Sequence, residues 1–183
     1  MSEELVIRQC SPTLAGIKTG NLFTAPCPSE GELRQDIRRL NRIFVPKGLR
    51  ILPMRQARGR MLLYLYRPGQ LQKDLEDPDA KRLLSDLGYP CGRTEQCVAY
   101  LIRQLRMQKT FPHEIGLFLS YPPEDVRGFI ENHAGAFKCV GTWKVYGDAN
   151  KAQETFQKYR KCTNAYCRRW RKGATIEQLT AAL

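Results

Sequence analysis

At 183 residues the chain has the length of one ordinary domain, and its 42% apolar and 26% charged residues exclude wholesale disorder, a collagen-like repeat and a disulfide-stapled miniprotein. Thirty Lys and Arg against 18 Asp and Glu give a net charge of +12, a surplus that attracts polyanions without identifying them. No apolar run reaches the roughly 18 residues of a membrane span, and Glu3 and Glu4 stand where a secretory leader would be basic, so a cytoplasmic setting without membrane contact is expected.

Neither a repeat nor a Gly/Ser linker divides the sequence, so a single domain over 1–183 is expected. After the apolar start Leu5, Val6 and Ile7, Ser11-Pro12 pairs a favoured N-cap residue with proline at the first helical position. This predicts a helix through Leu14 and Ile17 toward Phe23, with Cys10 at its mouth. Ser29 and Glu32 have capping-box spacing, and Leu33, Ile37, Leu40 and Phe44 recur at helical intervals until Pro46-Lys47-Gly48. Residues 49–54 and Met61 to Tyr66 predict an antiparallel hairpin around Ala57-Arg58-Gly59, with Pro53 marking an irregular or edge strand.

Helices are predicted over 69–76, 78–87 and 94–107, the last with Val98, Leu101, Ile102 and Leu105 on one face. The apolar run Ile115 to Leu119, stopped by Tyr121-Pro122-Pro123, reads as a buried strand with His113 before it. A short helix from Glu124 to Asn132, a strand over Lys138 to Tyr146 and a long helix from Asn150 to Arg171 follow, with further helical turns after Thr175. The expected class is α+β: an N-terminal helix carrying Cys10, a central antiparallel sheet and a long basic C-terminal helix.

A thiol at a helix N-terminus meets unsatisfied N–H groups that favour the thiolate, which makes Cys10 a candidate nucleophile. Of the two histidines, His113 is the better general base, because a strand mouth holds an imidazole more firmly than the loop around His133. The alternative is a small buried cysteine and a hydrogen-bonded histidine that perform no chemistry. The start Cys10-Ser11-Pro12-Thr13-Leu14-Ala15, followed far downstream by His113-Glu114-Ile115-Gly116, resembles papain-like cysteine peptidases of the bacteriocin-processing type. That resemblance implies a papain-like fold, Cys10 as nucleophile, His113 as base and Asn132 or Asp148 orienting the imidazole. The reaction would be thiol-dependent hydrolysis or acyl transfer on a small-molecule or peptide substrate. The oxyanion glutamine of those peptidases has no clear counterpart, since Gln9 is adjacent to the cysteine and Glu4 stands further back.

Longer segments, residues 10–23, 111–119, 143–148 and 159–162, resemble a bacterial family of uncharacterised proteins from anaerobes. The resemblance implies a redox or metal setting, and with it an acidic, flavodoxin-like protein as a docking partner.

Lys158, Arg160, Lys161, Arg168, Arg169, Arg171 and Lys172 form a run without an acidic residue. It predicts a noncatalytic binding surface for an acidic protein or, nonspecifically, for nucleic acid. The interleaved Phe156, Tyr159, Thr163, Tyr166 and Trp170 have helical spacing and are expected to face the core. The seven cysteines read as reduced thiols, and no Cys-x-x-Cys pair suggests a metal. Cys91/Cys97 and Cys162/Cys167 are the closest pairs, and on one helix the latter would point roughly 140° apart. Gly16 and Gly20 form no phosphate loop, so no nucleotide cofactor is expected. Glu114, Glu124, Asp125 and Asp148 are expected as helix caps or surface charges.

Overall fold

The computed structural model describes residues 1–27, 29–108 and 110–182. The chain is α+β, as expected, and forms two compact units, one of Met1–Gly69 with Tyr159–Leu183 and the other of Gln70–Lys158.

In the first unit, helix α1 spans Glu3–Leu14, starting well before the expected Ser11. Ser2 is the N-cap, accepting from Leu5 N at 3.3 Å, and Glu3 and Glu4 complement the dipole of the first turn. Pro12 therefore lies inside the last turn, where it cannot donate to the carbonyl of Arg8, and the helix ends two residues later. Gly16, at φ 77°, reverses the chain, so the segment expected to continue as helix becomes strand β1, Gly20–Pro26.

Helix α2, Glu30–Phe44, follows the expected capping signal, with Ser29 Oγ accepting from Glu32 N and Leu33, Ile37, Leu40 and Phe44 buried. Strands β2, Arg50–Ala57, and β3, Arg60–Tyr66, form the expected hairpin through Arg58 and Gly59, both at positive φ. The sheet is antiparallel with order β1-β3-β2, and β1 is the strand that sequence periodicity did not reveal. Pro53 lies on the edge strand, and the register slips between it and Arg55, so its missing N–H breaks no central ladder.

Val6, Ile7, Cys10 and Leu14 of α1 join the core made by α2 and the sheet, closed by Ile176 and Leu179 of the tail. Arg67, just after β3, is 1% exposed and has no carboxylate beside it in any ion pair among the described residues. Its guanidinium donates to Thr13 O, Leu14 O and Ala181 O at 2.8 Å and to Lys47 O at 3.2 Å. One side chain thus caps the C-terminus of α1 and ties the tail to it.

The second unit is mostly helical: α3, Pro68–Glu76, which begins at the end of the first unit, then α4, Pro78–Asp86, and α5, Thr94–Met107, match expectation closely. Ile115 to Leu119 is not a strand but part of a 3₁₀ helix, His113–Leu119. All five of its apolar residues are buried, and an unbroken apolar run has no period by which to tell a buried helical turn from a buried strand. Close packing fixes the turn: a Cβ on Gly116 would lie 2.7 Å from Val126 Cγ2. Helix α6, Pro123–Glu131, follows. The single strand expected over Lys138 to Tyr146 is instead a short hairpin, β4, Cys139–Val140, against β5, Lys144–Val145. Helix α7, Ala149–Arg171, starts in this unit and ends in the first. Among the described residues no helix is long and apolar enough to cross a membrane.

Candidate functional site

Cys10 is the eighth residue of α1 and fully buried, so the free N–H groups of the helix start do not surround it as the sequence reading required. Burial pushes its thiol far above the ordinary range, and nearby Lys18 offsets this only in part. Lys18 is itself 4% exposed, with Nζ 5.6 Å from the centre of the Tyr159 ring. Burial lowers its ammonium to about 8, against the opposing pull of Cys10. A neutral sulfur without access to solvent is a poor nucleophile.

His113 belongs to the other unit, where it opens the 3₁₀ helix rather than a strand and lies exposed, edge-on to Phe129 at 4.9 Å. It lines a cavity of about 320 Å³ with Tyr121, Phe129, Trp143 and Lys144. The two residues expected to orient it bond elsewhere. Asn132 Nδ2 donates to Gly128 O at 2.8 Å. Asp148 caps α7, accepting from Asn150 N at 3.0 Å and Lys151 N at 3.1 Å.

Asp125, expected as a cap or surface charge, is instead 3% exposed and lies at the same cavity. It accepts from Trp143 Nε1, Tyr146 N and Gly147 N, each at 2.7 Å. Three donors compensate one buried carboxylate, and together they fix the β5 hairpin on α6. Glu114 likewise accepts from the Tyr89 hydroxyl at 2.7 Å, a bond that adds to burial in raising the phenol above its ordinary range.

The basic run lies on the C-terminal part of α7 and the residue after it, and Lys158, Arg160, Lys161, Arg168, Arg169, Arg171 and Lys172 are all exposed. Tyr166 and Trp170 pack against the core of the first unit, as their spacing implied. Beside them a recess of about 530 Å³ is lined by Arg8, Gln9, Thr163, Asn164, Cys167, Arg168 and Arg171. None of its three arginines belongs to an ion pair among the described residues. The amides of Gln9 and Asn164 accompany them, a donor set suited to carboxylate or phosphate oxygens, while the Thr163 hydroxyl donates to Tyr159 O at 3.1 Å. Neither Arg8 nor Gln9 was expected at an anion site, because α1 was expected to begin at Ser11. The available signal was Ser2 followed by Glu3 and Glu4, which starts a helix that carries both residues.

Among the described residues no group of three or more His, Cys, Asp or Glu could hold a metal ion. No curated protein and no solved structure matches the chain. A family described as "Protein of unknown function (DUF3793)" matches residues 6–180, nearly the whole length, and the chain belongs to it.

Proposed function

We propose that this chain is a binding module of the cytoplasm that docks an acidic protein on the basic face of α7. The observation that carries this reading is the recess in which Arg8, Arg168 and Arg171 converge without carboxylate partners among the described residues. Lys158, Arg160, Lys161, Arg169 and Lys172 extend the same charge along the helix and would steer the encounter. Nucleic acid is the weaker match, because Tyr166 and Trp170 pack on the core and present only part of their rings to bases. Burial of Cys10 speaks against thiol-dependent hydrolysis or transfer with His113 and Asn132 or Asp148.

Fluorescence anisotropy with labelled poly-L-glutamate at rising salt tests the proposal. Binding should weaken steeply with salt, fall at least about tenfold in the triple variant R8Q/R168Q/R171Q and be unaffected by Cys10→Ser. Unchanged binding in the triple variant would overturn it, as would a clear preference for oligothymidylate of matched charge.

A further inference from the structure

The turn between α4 and α5 and the first turn of α5 hold two cysteines, Cys91 and Cys97, that the basic recess does not use. Gly88, at φ 78°, ends α4, and the segment Tyr89-Pro90-Cys91-Gly92 brings the chain to Arg93, whose carbonyl accepts from Gln96 N and Cys97 N in the first turn of α5. This folds Cys91 back toward Cys97, the fourth residue of that helix. Cys91 is partly exposed, within sulfur hydrogen-bonding distance of Tyr89 O and Ser85 Oγ, both at 3.4 Å. Cys97 is 3% exposed, and its thiol reaches Pro90 O at 3.4 Å. Burial, reinforced by neighbouring Cys91, raises the Cys97 thiol to about 11. Both are free and both line a cavity of about 270 Å³. Its polar wall includes Gln72, Glu76, Arg93 and Glu95, which present both signs of charge to whatever enters.

We propose that Cys91 and Cys97 form a dithiol–disulfide exchange site whose substrate is a small disulfide bearing carboxylate and ammonium groups. Arg93 takes a carboxylate, and Glu76 and Glu95 take an ammonium. The accessible Cys91 attacks as thiolate: its sulfur bonds to one substrate sulfur, the substrate S–S bond breaks, and the departing thiolate takes up a proton. The Cys97 sulfur then attacks Cys91, closing the Cys91–Cys97 disulfide and expelling the second substrate half, which takes the Cys97 proton. Two electrons pass from the protein to the substrate, so one disulfide is reduced to two thiols while one is formed. The buried, high-pKa partner is suited to the resolving role, because it stays protonated until the mixed disulfide stands next to it.

The test is to treat the native chain with dilute L-cystine at pH 8, block remaining thiols and map the tryptic peptides. Cleavage after Arg93 puts the cysteines on separate fragments, Leu83–Arg93 and Thr94–Arg103, so the bond appears directly as a linked pair. The expected result is that linked pair, with two molecules of free cysteine released per bond. In Cys97→Ser the reaction should stop with cysteine attached to Cys91. Arg93→Gln should slow the reaction with cystine on the order of tenfold and leave that with uncharged hydroxyethyl disulfide unchanged. Cysteinylated Cys91 accumulating in the native chain without the link would overturn the proposal, as would Cys91 reacting no faster than Cys139 or Cys162.

Discussion

Replacing Arg67 by methionine removes the one charge that holds four backbone carbonyls in the first unit. The partners lie at 2.8 Å (Thr13 O, Leu14 O, Ala181 O) and 3.2 Å (Lys47 O). Hydrogen bonds to a charged group contribute about 1.5–3 kcal/mol each in favourable cases, but desolvating the guanidinium offsets much of that sum. The loss is better counted from what the variant leaves behind. Thr13 O still accepts from Gly16 N at 3.1 Å and Leu14 O from Ala181 N at 3.0 Å, whereas Lys47 O and Ala181 O lose the guanidinium donor. The two carbonyls that lose that donor are part-buried, so each costs near the low end of about 1–3 kcal/mol, and the expected destabilisation is about 2 kcal/mol. That is a large share of the roughly 5–15 kcal/mol that holds a domain together. Urea unfolding followed by circular dichroism reads it as a lower midpoint at unchanged slope. Arg67→Lys should recover only part of the loss, because three ammonium donors on one point cannot span four carbonyls as the planar fork does. A loss below about 1 kcal/mol in Arg67→Met would refute the view that this side chain secures the α1 terminus and the tail.

Lys18 and Cys10 set opposite pH dependences. The folded Lys18 titrates near 8 rather than its ordinary 10.5, so above pH 8 the unfolded chain holds a proton that the folded chain has lost, and stability rises. From about pH 9 the unfolded Cys10 ionises while the buried thiol keeps its proton, and stability falls. Unfolding free energy should therefore gain about 1 kcal/mol between pH 8 and 9 and then level off, and Lys18→Met should abolish the gain. A flat profile in the native chain would contradict this. Asp125→Asn places an amide N–H₂ against Trp143 Nε1–H or the two backbone donors, and should destabilise the second unit by about 2–3 kcal/mol, seen in thermal melts. Gly128→Ala forces a Cβ to within 2.4 Å of Tyr146 Cγ, and should cost about 2 kcal/mol by displacing that ring, measurable in the same melts.

Local chemistry was readable wherever neighbouring residues carry the whole signal. Ser29 with Glu32 and a 3–4 apolar spacing produced α2, and Arg58-Gly59 produced the hairpin turn. Ser11-Pro12 misled because it has the local form of a helix start, while the chain already has a better one at Ser2. Local form alone does not show which of two starts the core will use, and burial of Val6, Ile7 and Cys10 requires the earlier one. The basic face of α7 was legible as charge, yet Arg8 and Gln9 of the arginine recess come from α1, about 155 residues earlier in the sequence.

The sequence by itself determined the α+β class, most helix limits, the edge position of Pro53, the cationic character and the inward stripe on the last helix. Each follows from period, cap or charge within a few neighbouring residues. Tertiary structure alone decided that Cys10 is a core residue, that Asp125 and Arg67 are buried polar anchors, and that Arg8 meets Arg168 and Arg171. Exposure and convergence depend on which distant segments pack together, and the reactivity of a thiol or carboxyl follows from that desolvation rather than from its place in the chain.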